Sequence, residues 1–242
     1  MRGQGTGSAL RRASAAAVVA GAAAVSAGCG EREADLVAGK QLFVERCGAC
    51  HVLGRAGTKG VSGPNLDEAF QQAQKEGFGE SAIRGVIEKQ ILYPFRGDRE
   101  GVEMAANIVT GRDVDHVSAY VASVVSAKGK DTGLLATAVK QAGGGKPIAA
   151  KGGKLTIPAD PGGQLAYTSD KASAPAGPLE IESPNDSPQP HNIVIDGLGE
   201  GKVVEKGGVS AFTATVKAGE VVFYCSVPGH REGGMEGDLT VE

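Results

Sequence analysis

The hydrophobic period of this chain changes near residue 154, and neither one helical bundle nor one sheet sandwich can accommodate both halves. Before that point the spacing is helical. "ADLVAGKQLFVERC" carries apolar residues near a 3.6 period, and in "TGRDVDHVSAYVASVV" Val114, Val117, Val121 and Val124 fall on one face. Thr110 and Asp113 have the spacing of a capping box for that helix. From Lys154 onward the period is two. "KLTIPA", "GPLEIES", "HNIVID", "SAFTATV", "EVVFYCS" and "GDLTVE" are short alternating runs broken by Gly, Pro, Asn and Asp, the pattern of a sandwich or barrel. Between them, residues 126–153 are rich in Gly, Ala and Lys and read as a flexible linker. A chain of 242 residues suits two modest cores. The expected fold is therefore multidomain: an all-α domain at 31–125, the linker, and an all-β domain at 154–242.

Residues 1–28 read as an export signal. Arg2, Arg11 and Arg12 precede the small, apolar run "ASAAAVVAGAAAVSA" at 13–27. That run is shorter than the ~20 residues needed to span a bilayer, so a retained anchor ranks below a cleaved signal. "SAGC" at 26–29 resembles a bacterial lipoprotein box, with Ser26 where Leu is usual; it implies a lipidated Cys29, with simple secretion as the alternative. The expected location is the periplasm or the outer face of the cell membrane, with a lipid anchor as the membrane contact. A net charge of −3 gives no footprint for nucleic acid.

Chemistry concentrates in two places. The first is "CGACH" at 47–51, a C-x-x-C-H motif. Its spacing lets Cys47 and Cys50 form thioethers with the vinyl groups of haem while His51 ligates the iron. A zinc cage would need more ligands, and this region holds only His116 besides. A Cys47–Cys50 redox bridge is the remaining alternative. Met104, the one methionine of the region, is the candidate ligand on the far side of the iron. His116, within a regular helix, reads as a solvated surface residue. Residues 35–125 resemble a class I c-type cytochrome domain. That resemblance implies that Gly39 and Phe43 cross the last helix at Tyr120, and that Pro64 of "GPNL" supports His51. Ala105 stands where many such domains have Pro after the methionine.

The second is "FYCSVPGHREGGMEG" at 223–237. Alternation puts Val221, Phe223 and Cys225 on one apolar face, and His191 shares a face with Ile193 and Ile195. His191, Cys225 and His230 with a weak Met235 make the ligand set of a type 1 (blue) copper. Zinc on Cys and His, or a nucleophilic Cys225, are the alternatives. The β half resembles the cupredoxins of the plastocyanin/azurin type, which implies a Greek-key sandwich. The resemblance also implies that Asn192 and Ser226 tie the first histidine's strand to the cysteine loop.

The expected function is thus electron transfer between redox proteins (an oxidase, a reductase or a quinol-oxidising complex), with haem c and type 1 copper as cofactors and no catalytic residues. The chain has four histidines; a second, His-ligated catalytic copper, as in copper nitrite reductases, would need more. A nitrite or oxygen reductase and a copper-delivery protein are the competing functions.

Overall fold

A computed structural model describes residues 1, 3, 33–95, 103–127, 129–140 and 142–242. The signal run and Cys29 lie outside the described residues. No described helix is long and apolar enough to cross a membrane.

The helical half begins with α1 (Leu36–Arg46), followed by a two-strand ribbon, β1 (Val52–Leu53) and β2 (Thr58–Lys59). Short helices α2 (Leu66–Ala69) and α3 (Gln71–Lys75) lead to α4 (Glu80–Leu92) and α5 (Arg112–Ser126). Asp35 caps α1, its Oδ1 accepting from the N–H groups of Val37 and Ala38 at 2.9 and 3.1 Å. α1 crosses α5 where Gly39 lies: a methyl group there would sit 2.1 Å from the carbonyl oxygen of His116. One turn on, the Phe43 ring meets Tyr120 at 6.5 Å between centroids. The small/aromatic crossing implied by the cytochrome resemblance is therefore present.

Val114, Val117, Val121 and Val124 of α5 are all buried, as their spacing predicts. Its start differs from expectation. The N-cap is Gly111, at φ 57°, and no side chain caps the helix, so Thr110 and Asp113 do not form the expected box. The left-handed turn at Gly111 starts the helix one residue later and leaves Asp113 and Asp115 in the first turn, where the helix dipole favours them. His116 also departs from its expected role. It is half-buried, and its Nδ1 accepts from the Asp35 N–H at 2.9 Å, tying α5 to the start of α1.

Two sheets face one another in the β half. The larger contains β3 (Ile148–Ala149), β5 (Lys171–Ala174), β7 (Val194–Ile195), β8 (Gly199–Glu200), β10 (Gly219–Tyr224) and β11 (Glu236–Val241), in the order β3-β5-β11-β10-β7-β8. The smaller contains β4 (Lys154–Thr156), β6 (Gly177–Pro184) and β9 (Val209–Val216), in the order β4-β6-β9. Leu155, Leu179, Ile181 and Val216 from the smaller sheet share one core with Ala172, Ile195, Phe223, Leu239 and Val241 from the larger. β5 ("KASA") and β3 carry no period-two apolar signal. They form because parallel β5–β11 pairing extends the sheet edge.

Residues 126–153, expected as a flexible linker, have specific partners on both sides. A short helix, α6 (Leu134–Thr137), lies on the helical half, where Leu135 O accepts from Lys40 Nζ and Ala138 O from Gln41 Nε2. Further on, Lys140 O accepts from Gln164 Nε2 and Gly143 O from the Asp170 N–H. The strongest tie is Asp131, whose side chain is 5% exposed. It pairs with Lys40 at 2.8 Å and Arg55 at 2.7 Å and accepts from Tyr120 Oη at 3.3 Å. Burial pushes the Asp131 carboxyl up, but the hydrogen bonds and charges of Lys40 and Arg55 outweigh it and hold the group below the ordinary carboxylate range.

Removing one member of a buried ion cluster strands the others in a low-dielectric site. Asp131→Ala should therefore destabilise the chain by about 3 kcal/mol, measured by denaturant unfolding near pH 7. Because the folded-state carboxyl titrates below the unfolded one, its contribution is present above pH ~4 and lost as pH falls through the lower folded value. The gap between wild type and variant should narrow below pH ~4.

Candidate functional site

The β-half site is set by strand register. β10 pairs antiparallel with β7, Phe223 opposite Ile195 and Tyr224 opposite Val194. The chain before β7 and the chain after β10 therefore leave the sheet side by side, and His191 and Cys225 meet. Past Cys225 the chain turns back: Met235 accepts from the Cys225 N–H at 3.1 Å and donates to His230 O at 2.9 Å. Arg231 lies over the Tyr224 ring at 4.1 Å and pairs with Glu236 at 3.1 Å, bracing the outer side of this loop.

Three ligand atoms converge. Nδ1 of His191 and Nδ1 of His230 are 3.1 Å apart, and Cys225 Sγ lies 3.8 and 3.5 Å from them respectively. The centre of such a triangle is roughly 2.0 Å from each corner, close to the about 2.0 Å nitrogen and about 2.3 Å sulfur bond lengths of a first-row ion such as zinc. Among the described residues this is the one group of three or more His, Cys, Asp or Glu placed to hold a metal. All three are buried, and Met235, fully buried in the same core, supplies a thioether.

The protonation states suit a metal. Burial, with His230 beside it, lowers His191 to about 3; burial lowers His230 to about 4, against a small opposing pull from Glu232. Both rings are neutral at pH 7, so each Nδ1 can offer a lone pair. Burial raises Cys225, while the backbone N–H groups of Asn192 and Val227 point at its sulfur and favour the thiolate. A dry pocket where two imidazole lone pairs and a thiol meet is best satisfied by a cation. A trigonal His–His–Cys set with a thioether fits type 1 copper better than zinc, whose structural sites want a fourth strong ligand.

Asn192 and Ser226 are joined as expected. Asn192 Nδ2 donates to Ser226 Oγ at 2.9 Å, and the Ser226 N–H donates to Asn192 Oδ1 at 2.8 Å. Tyr167, which the sequence reading did not single out, completes the clamp. Its buried hydroxyl donates to Asn192 O at 2.7 Å, and its ring meets Phe223 edge-on at 5.3 Å. The only sequence signal for it was an aromatic in an otherwise aromatic-poor half.

In the helical half, Cys47 and Cys50 are free thiols, as is Cys225 in the β half, so no Cys47–Cys50 bridge is present. Burial, and then Cys50, push Cys47 up to about 12. His51 Nδ1 lies 2.9 Å from Pro64 O. A carbonyl can only accept, so Nδ1 carries the proton and Nε2 keeps its lone pair for a metal. Burial lowers the His51 value, against the raising effect of that bond. The ring also packs on Gly63, where a methyl group would sit 2.6 Å from Cε1. Met104 is half-buried at the margin of the helical core, in the cluster that includes Cys47.

Residues 36–124 match the cytochrome c family. No curated protein matches the chain. Among solved structures, auracyanin A of Chloroflexus aurantiacus, described as a blue copper protein, is 21% identical with a TM-score of 0.33, covering 40% of this chain and 99% of that one. Auracyanin from Roseiflexus castenholzii is 25% identical with a TM-score of 0.30, covering 40% and 94%. A variant of amicyanin is 17% identical with a TM-score of 0.30, covering 38% and 86%. Residues 36–124 thus combine the CGACH segment and the helix crossing with the cytochrome c family match, and the second half is a two-sheet sandwich, resembling a cupredoxin, that holds the His–Cys–His site with Met235 in the same core.

Proposed function

We propose that this chain is an exported electron carrier with two redox centres, a covalent haem c and a type 1 copper. The observation that carries the reading is the triangle of His191, His230 and Cys225 over a buried Met235. Cys47 and Cys50 would hold the haem, with His51 and Met104 as iron ligands. His191, Cys225, His230 and Met235 would hold copper, which when bound supplies a one-electron couple. The chain's own contribution is rigidity. The Asn192–Ser226 pair and the Tyr167 hydroxyl fix the backbone on which His191 sits. The core around Cys225 and Met235 keeps water from the ligand atoms. Nothing in either ligand set reserves a position for substrate, which favours a carrier over a reductase. A ligand set buried this completely favours retention of copper over its delivery. Export rests on the 13–27 run and lipid anchoring on "SAGC"; the partners are redox proteins outside the cytoplasm, such as an oxidase, a reductase or a quinol-oxidising complex.

Purified holoprotein should show both haem c bands and an intense Cys–copper charge-transfer band; absence of the copper band would sink the reading. Cys225→Ser should abolish that band and leave the haem spectrum unchanged. Asn192→Ala removes both bonds to Ser226 and should weaken copper retention by about 10–100-fold, read by competition with a chelator. In the metal-free chain both site histidines titrate below the ordinary histidine value near 6.5. The unfolded state therefore binds more protons below pH ~6.5. Stability of the metal-free chain should be fully present above that pH and fall by a few kcal/mol on acidification toward pH ~4, followed by thermal or denaturant melts.

A further inference from the structure

The loops that carry the two ligand sets touch. Ala49, between the two haem-attachment cysteines, is 7% exposed and belongs to the hydrophobic cluster of the β half, together with Leu165, Cys225 and Met235; Val227 packs against that cluster. A methyl group built on Gly229, the neighbour of His230, would lie 3.9 Å from Val61 and 4.0 Å from Ser62. One built on Gly234, the neighbour of Met235, would lie 3.7 Å from the Lys59 side chain. At the margin, Gln189 Nε2 donates to Glu45 O at 3.2 Å, and a methyl group on Gly163 would come within 2.9 Å of the Glu45 backbone. Lys59 approaches a loop that carries Glu232 and Glu236, the latter paired with Arg231.

The contact reaches both ligand sets in few steps. On the haem side, Ala49 is the covalent neighbour of Cys50. Gly63, next to Ser62, donates to Cys50 O at 2.7 Å and abuts the His51 ring. On the copper side, Gly229 is bonded to His230, and Ala49 shares a core with Cys225 and Met235. Of the surface around the 225–235 ligand loop, the part beside His230 and Met235 is thus covered by this chain's own cytochrome domain.

We propose that this contact is a built-in electron-transfer junction: the segment 49–62 occupies the copper end of the cupredoxin domain, where an outside protein would otherwise dock. The proposal rests on the two-centre reading above. With both groups bound, one electron would cross the junction, ferrous haem being oxidised as cupric copper is reduced, or the reverse; no bond would form or break and no proton would move.

The test uses the full-length holoprotein and two variants. Ala49→Glu places a carboxylate in the buried contact. Val61→Asp places one at a position 54% exposed, where folding is not at stake, facing an acidic loop. Amide hydrogen exchange is followed at Gly63 and across 227–235, and haem-to-copper transfer is followed after flash reduction. Both variants should speed exchange at both loops at least tenfold and slow transfer at least tenfold; in Val61→Asp, the variant outside both ligand sets, the haem and copper bands should be unchanged. In the wild type, transfer should be first order and independent of protein concentration. If both bands are present but transfer scales with protein concentration, or if neither variant changes exchange or rate, the junction is overturned while the two-centre reading stands. If the wild type lacks either band, the two-centre reading fails, and the junction with it.

Discussion

The antiparallel register of β10 on β7 is the constraint on which the second half of the molecule depends. Side chains alternate along a strand, so a slip of one residue would turn Cys225 outward and carry the whole inward row of β10 with it. The register is held by burial, because Phe223 and Ile195 face each other across the pair and both are fully excluded from solvent. Once that pairing is made, His191 and Cys225 have no freedom to separate. The return turn through Val227–Gly234 then brings His230 and Met235 to the same place. The three side chains of the candidate metal site are thus brought together by the strand pairing and by a sheet core that includes Cys225 and Met235.

The helical half obeys a comparable rule. The crossing of α1 on α5 at Gly39 sets where Cys47 leaves the helix. The carbonyl of Pro64 then decides which nitrogen of His51 is free. In both halves a polar backbone atom or amide side chain orients the ligand from behind, and apolar burial holds that orienting group.

Much of this was legible in the chain itself. Covalent spacing is read directly from letters: C-x-x-C-H and C-x4-H-x4-M fix which side chains lie close along the chain, and the buried His191–Cys225–His230 group agrees with the second. The valine face of α5 and the inward row of β10 follow from periodicity; the valines, Phe223 and Cys225 are buried, and Val221 is partly so. What was not legible depended on partners far away in sequence. β5 is "KASA", which has no strand signature and exists because β11 offers it an edge. Gly111 replaces the expected cap because the local turn favours a left-handed residue over a side-chain hydrogen bond. His116 lies on a face that pattern alone assigns to water, yet the first residues of α1 reach it. The region 126–153 has the composition of a tether, and composition is blind to one aspartate meeting two cations.

That aspartate changes what counts as a module. Lys40 and Arg55 belong to the cytochrome by sequence position, yet the counter-charge they share is delivered by residue 131, past the last helix that completes the family match at residue 124. A helical unit excised at the end of α5 would carry two cations without the Asp131 carboxylate that pairs with both. Its natural boundary therefore lies beyond α6, inside what composition labels a spacer. Fusions of this kind are then poor sources of interchangeable parts: the joining segment has become structural for one partner, and recombination at the apparent seam would damage the half it was meant to release.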